Sequence, residues 1–473
     1  MMQPAAGGIY KRGEMMMKEQ TSFTEGRILT PLVRFAMPVL LALFLQAMYG
    51  AVDLLIVGQF GASTDVSAVS TGSQVMHTVT VVIVGLSMGI TVLAAQKIGE
   101  KRPEEAGQVI GSGICLFSVV AVAVTVLMIF LAEPMSGWMQ APKEAFDQTV
   151  SYVRICSTGT VFIVAYNVLG SVFRGIGDSK MPLITVAIAC LLNIGGDLLL
   201  VGGFHMGVAG AAYATVFAQA FSVVLSILII RKRELPFQFT RDALRFDRKL
   251  IGKIVALGLP IALQDLLVSV SFLVIIAIVN SLGVVASAGI GVAEKLCAFI
   301  MLVPSAYSQA MSAFVAQNIG AKKPDRAKKA LFCGIVSSVA AGLIIAYVSF
   351  FHGEILAGLF SRDSQVIAAA ADYLRAYAID CIFTAFSFCF AGYFNGCGKT
   401  VFVMAQGLAG AFAVRIPVSY LMSRIPGISL FGIGLAVPAS TLLQIALCVG
   451  YLLYVEAVRK KQEEEAVTAE LLR

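Results

Sequence analysis

Asp53, Asn193, Asp197 and Thr215 place two carboxyls, an amide and a hydroxyl in stretches otherwise almost free of polar side chains. Such a set can share a proton between the two acids or hold a hard, oxygen-seeking cation such as Na+. Asn193 and Asp197 are one turn apart, so they share a helix face. A second group, Asp265, Glu294, Asp380 and Arg415, mixes acids with a base, and Lys295 follows Glu294. It is a candidate site for the polar part of a substrate, or it pairs internally, for example Asp380 with Arg415. The competing reading of both groups is that each charge meets a buried donor and merely fastens helices. Their setting argues for chemistry: an ionisable group at mid-bilayer costs roughly 2.5–3.5 kcal/mol on insertion scales, so a functional role is the default there.

That setting follows from composition. The chain has 473 residues, 58% hydrophobic and 13% charged, whereas soluble proteins carry about 25% charged residues. Runs long and apolar enough to cross a bilayer predict spans at 31–58, 66–95, 106–132, 147–174, 181–203, 207–230, 250–281, 284–317, 327–351, 366–396, 401–423 and 432–458. The predicted fold class is an all-α integral membrane protein of twelve helices. A tail over 1–28, polar and without an apolar signal core or any sign of folded structure, precedes a six-helix bundle over 29–230. A connector over 231–249 leads to a second bundle over 250–458 and a tail over 459–473. Most of the 35 basic residues lie in the tails and in the loops after even-numbered spans, while the odd loops hold only Lys143, Arg362 and Arg424. This bias predicts an inner-membrane protein with both termini cytoplasmic. The net charge of +7 then reports orientation, and no nucleic-acid partner is expected.

The chain also reads as two copies of one unit. Pro38 aligns with Pro260 and Gly61 with Gly283. Ala95-Gln96-Lys97-Ile98-Gly99-Glu100-Lys101-Arg102-Pro103 aligns with Ala316-Gln317-Asn318-Ile319-Gly320-Ala321-Lys322-Lys323-Pro324. Phe173-Arg174-Gly175-Ile176-Gly177 aligns with Phe394-Asn395-Gly396-Cys397-Gly398, and Tyr152 and Arg154 with Tyr373 and Arg375. Because six helices return the chain to its starting side, the copies are related by a pseudo-two-fold axis along the membrane normal, an arrangement common in alternating-access transporters.

The repeat serves as an internal control, since positions that only support the fold should match. The candidate residues do not: Asp53 aligns with Ile275, Asn193 with Val414, Asp197 with Val418, Asp265 with Leu43, Glu294 with Ser73, Lys295 with Gln74, Asp380 with Gly159 and Arg415 with Ile194. Arg154 is repeated as Arg375, which suggests a role in the fold. Counting Lys295 and Arg415 as the interior bases, the unmatched charges are net acidic, and an acidic cavity concentrates cations. Phe383, Phe386, Phe388 and Phe390 around Asp380, with Met301 and Met404, suit flat lipophilic cations, or simply pack. Pro38 and Pro260 each remove a helical hydrogen bond and are candidate hinges. The nine cysteines lack metal-ligand spacing, and with no nucleophile or zinc motif in sight an enzyme is not expected.

On these marks, above all the Pro38 and Asp53 pattern, the paired Ala-Gln-x-Ile-Gly-x-x-x-Pro loops, the Phe-Arg-Gly-Ile-Gly-Asp stretch ending at Asp178, and Asn193 with Asp197, the chain resembles the multidrug and toxic compound extrusion (MATE) family over roughly residues 28 to 458. The resemblance is strongest to its DinF-like branch, where Asp53, Asn193, Asp197 and Thr215 match the cation site residue by residue. It implies a secondary antiporter, coupled to H+ or Na+ and needing no other cofactor, that exports lipophilic organic cations or drugs and acts as a monomer within the membrane lipid. Asp380 stands about one turn before the usual tenth-span acid, with Thr384 nearer that place. The alternative is a flippase for a lipid-linked envelope precursor, to which the superfamily also extends.

Overall fold

The computed structural model describes residues 23–232, 235 and 243–471. Most of the predicted amino tail and most of the connector's middle lie outside the described residues. Eleven helices are long and apolar enough to cross a membrane, and a bent pair makes a twelfth span. They run Leu29–Phe60, Ser63–Gly99, Pro103–Trp138, Lys143–Gly175 as the bent pair, Lys180–Gly203, Gly207–Lys232, Arg248–Asn280, Val284–Gly320, Pro324–Phe351, Ser364–Gly396, Thr400–Ser423 and Leu430–Gln462. These are spans 1 to 12, each within a few residues of its predicted place. The chain is a multi-pass membrane protein, and among the described residues no strand is formed.

Local chemistry sets the ends. Pro103 and Pro324 open spans 3 and 9 at the first helical turn, where a missing N–H costs nothing, and Glu104, Glu105 and Asp325 place negative charge at the helix starts. Just before them Lys101 and Lys322, aligned positions of the repeat, adopt the left-handed conformation at φ 59° and 57°. The paired sequence motif is therefore a paired turn.

Three departures separate the aligned spans. Span 4 breaks at Gly159 and bends by 53°, whereas its counterpart, span 10, is a single helix from Ser364 to Gly396 with Asp380 at the aligned position. Span 5 continues past Asp197 as a π-helical segment, Leu198–Gly203, and span 11 carries one at Ala409–Arg415. These segments do not align with each other, and each adjoins a candidate residue, as π-bulges often adjoin functional sites. Span 12 does not stop at the membrane but runs on as helix to Leu471, so the predicted carboxyl tail is largely helical.

The helices pack as two compact units. Unit 1 takes in residues up to Leu266 together with Ser305–Gly334 and Gly392–Val401, and unit 2 takes in Leu267–Pro304, Ile335–Ala391 and Phe402 onward. The first repeat thus shares its unit with the basic-side ends of spans 7, 8, 9 and 10. Inside unit 1 the repeats touch backbone to backbone. A β-carbon on Gly99 would collide with the Gln317 carbonyl, and one on Gly320 with the Gln96 carbonyl. The same two glutamines exchange hydrogen bonds: Gln96 Nε2 donates to Gly396 O at 3.2 Å, and Gln317 Nε2 to Gly175 O at 3.1 Å. The Ala-Gln-x-Ile-Gly motif is a contact surface, used once by each repeat.

Candidate functional site

Unit 1 brings Asp53, Asn193, Asp197 and Thr215 together. Span 1 supplies Asp53, span 5 Asn193 and Asp197, and span 6 Thr215, and all four are buried. Asn193 Nδ2 donates to Thr215 Oγ1 at 3.5 Å, and Thr215 Oγ1 donates to Asp53 Oδ2 at 3.4 Å. The carboxyls of Asp53 and Asp197 face each other within hydrogen-bonding reach. Asp53 Oδ1, both Asp197 oxygens and Asn193 Oδ1 are sealed from solvent, yet no backbone amide, hydroxyl or side-chain amide donates to them.

Buried acceptors without donors are costly, and two facing carboxylates repel each other unless a positive charge lies between them. No basic side chain forms an ion pair with either acid among the described residues. Arg154 is exposed and sits 3.7 Å from Glu133, and Arg375 sits 3.7 Å from Glu354 at the aligned place in unit 2. The repeated arginines thus form a repeated surface pair and not a buried one. Spare oxygens from two carboxyls, an amide and a hydroxyl form a donor set suited to a proton or to a hard monovalent cation.

The sequence reading missed the tyrosines around these acids. Tyr49, one turn before Asp53 and so on its face, donates from its hydroxyl to Thr215 O at 3.3 Å. Tyr152 is buried, and its ring fills the space a side chain on Gly72 would occupy. The i−4 spacing from Asp53 was the available signal for Tyr49.

Unit 2 gathers Glu294, Asp380 and Arg415 differently. Arg415 is buried, donates from Nη1 to Ser271 Oγ at 3.0 Å and lies 4.4 Å from the centre of the Phe272 ring. Glu294 Oε1 accepts from the Tyr373 hydroxyl at 3.5 Å. Arg415 acts on Asp380 and Glu294 through its charge, while its hydrogen bond goes to Ser271. The expected Asp380–Arg415 pairing is thus electrostatic and not a direct bridge among the described residues. Two further expectations change. Asp265 is half-buried and belongs to unit 1, so the unit 2 cluster contains three of the four candidates. Lys295 points outward from span 8 and is exposed, because a one-residue step from Glu294 rotates a side chain by about 100°. Arg415 is the buried base of this cluster. Pro38 and Pro260 both lie inside continuous helices.

A family model described as MatE matches residues 38–199 and, a second time, 260–421. The chain belongs to the MatE family. Each match begins at one of the in-helix prolines, Pro38 or Pro260, and ends in span 5 or span 11, so the family pattern reproduces the repeat. The chain is similar to the probable multidrug resistance protein YpnP of Bacillus subtilis (strain 168), with 28% identity covering 91% of this chain and 96% of the relative. It is also similar to an FAD transporter of Shewanella oneidensis, with 24% identity covering 96% of this chain and 100% of that protein. A solved structure of a multidrug resistance MATE family transporter in its outward-facing conformation shares the fold at a TM-score of 0.86 and 20% identity, covering 93% of this chain and 98% of the other. Other relatives are likewise named as multidrug export proteins, and this chain has the twelve-helix fold of the solved MATE transporters.

Proposed function

We propose that this MatE protein is a secondary antiporter that exports lipophilic organic cations or drugs by alternating access, coupled to inward flow of H+ or Na+. The observation that carries the reading is the buried pair Asp53 and Asp197, whose free oxygens face one another with no internal base to neutralise them. A proton or Na+ entering from outside supplies that charge, with Asn193 and Thr215 completing the shell. The relatives named for multidrug resistance support an export role, and the acidic interior supports cationic cargo over a lipid-linked precursor. The DinF-like cation site, the inner-membrane location with cytoplasmic termini and the monomeric state are parts of the same proposal.

Coupling requires that cation and drug favour different states of the transporter. Loading the acid pair removes the repulsion between spans 1 and 5, and Pro38 gives span 1 a point at which to bend in response. The pocket then releases its cargo outward. In unit 2, Glu294, Asp380 and Arg415 form the candidate polar site for substrate.

The test is efflux of a fluorescent lipophilic cation from proteoliposomes, with pH and Na+ gradients imposed separately. Movement under one gradient is expected, and names the coupling ion. Folded, inserted protein that moves the dye under neither gradient overturns the proposal and directs attention to a lipid substrate.

A further inference from the structure

The polar segment before span 1 is not a loose tail where the structure describes it. Phe23 is almost fully buried, with its ring centre 5.2 Å from that of Phe35 on span 1 and 4.9 Å from that of Phe314 on span 8. One residue of the leader therefore wedges between helices of the two repeats.

Backbone contacts hold the rest of the segment. Arg326, at the start of span 9, donates from Nε to Phe23 O at 2.9 Å, from Nη1 to Gly26 O at 2.8 Å, and from Nη2 to Glu25 O at 2.8 Å and Arg27 O at 3.3 Å. Asn318 Nδ2 donates to Phe23 O at 3.1 Å, and Lys323 Nζ to Thr24 O at 2.9 Å. A guanidinium with several fixed donors is well matched to a curl of backbone carbonyls. These donors all meet carbonyl oxygens of the segment, so the recognition they provide is of backbone shape.

The second repeat does the reverse. Its own leader crosses onto span 3 of the first repeat: Ala243 O packs on Gly111, where a β-carbon would collide, and Ser112 Oγ donates to Arg245 O at 3.1 Å. Each repeat is strapped by the segment that introduces the other, and the Phe23 strap adjoins the Gln317 side of the glutamine contact through Asn318 and Gly177, all inside unit 1.

We propose that Phe23–Arg27 is a latch that holds the basic-side ends of the two repeats together, with Arg326 as its catch, and that it must let go once in every transport cycle. The proposal rests on the alternating-access reading, since only a transporter that opens at this side needs a releasable strap. Such a device suits a backbone-held segment: six hydrogen bonds and one ring give up their partners together, and the exposed carbonyls find water at once.

Two experiments on the full-length protein test it. In the first, hydrogen exchange is followed in purified Arg326→Ala and Arg326→Lys proteins, independently of transport. Exchange should quicken at least tenfold in residues 23–28 and also in the loops 96–102 and 317–323 for Arg326→Ala, and less for Arg326→Lys, which keeps charge but loses the fork. Quickening confined to 23–28 overturns the idea, because the strap would then hold nothing. In the second, Thr24→Cys and Lys323→Cys are joined in proteoliposomes by a short reducible thiol-to-thiol reagent, with the parent and single variants treated alongside. Dye efflux should fall at least tenfold on joining and return on reduction, while the controls keep working. Unchanged efflux by the joined protein shows a strap that never releases. Failure of the untreated parent to transport instead counts against the export reading, leaving the exchange result to judge whether the strap holds the closure.

Discussion

The two buried clusters differ in where their positive charge comes from. In unit 1, Asp53 and Asp197 confront each other with spare oxygens and, among the described residues, no base paired with either. In unit 2, a buried base, Arg415, held by Ser271 and Phe272, belongs to the same cluster as Asp380 and Glu294 without bridging to either among the described residues. A carboxyl pair that must borrow its counter-charge from solution can respond to ion gradients, whereas a pair with a covalently attached counter-charge cannot lose it. The same six-helix frame thus carries one buried acid pair without a neighbouring base and one acid cluster that includes a buried arginine.

The largest expected break in this comparison is Asp53→Asn, which turns the acid pair into a single acid. Gradient-driven dye efflux should drop to background while surface expression stays at the parental level; normal efflux in a correctly inserted Asp53→Asn protein would remove Asp53 from coupling. Next comes Arg415→Met, which strands two acids in unit 2. Removing one member of a buried charge group typically costs about 3–5 kcal/mol, so the detergent-solubilised protein should melt at clearly lower temperature, and adding Asp380→Asn should recover much of the loss. No recovery in the double variant would mean that Arg415 matters for packing on Phe272 and not for charge.

Thr215→Ala sharpens the comparison by removing one neutral oxygen from the proposed cation site. A Na+-driven transporter should need several-fold more Na+ for half-maximal efflux, whereas a proton-driven one should stay indifferent to Na+ and show only a small shift of its pH response, because Asp53 loses one donor. The smallest effect belongs to the repeated surface pairs. Arg375→Ala breaks the half-exposed contact with Glu354, and exposed ion pairs contribute about 0.2–1 kcal/mol. Thermal stability should barely move and efflux should stay intact; a large effect would show that repetition at Arg154 and Arg375 marks more than a surface tie.

Much of this was readable from the chain because its signals are one-dimensional. Span lengths follow from uninterrupted apolar runs, and the acid cluster of unit 1 from acids in one repeat facing Ile275 and Val418 in the other. What escaped depends on helix phase and on partners far away in sequence. Glu294 and Lys295 are neighbours in sequence, yet one turns inward and the other outward. The bend at Gly159 is set where Val216 packs against a residue with no side chain to keep it off. The π segments in spans 5 and 11 have no reliable local signature. Phe23 sits in a polar stretch whose carbonyls are met by Arg326, about three hundred residues later, so no local pattern could reveal it.

The glutamine contact has an evolutionary reading. Gln96 reaches Gly396 while Gln317 reaches Gly175, so the same patch serves as both giver and receiver, the geometry of an isologous dimer interface. A lone six-helix half would present one unsatisfied glutamine and one bare glycine cleft, and a second copy of itself would fit both. The seam is the same in both halves, whereas the acid pair stands in one half and Arg415 in the other, so the two halves differ away from the surface they share.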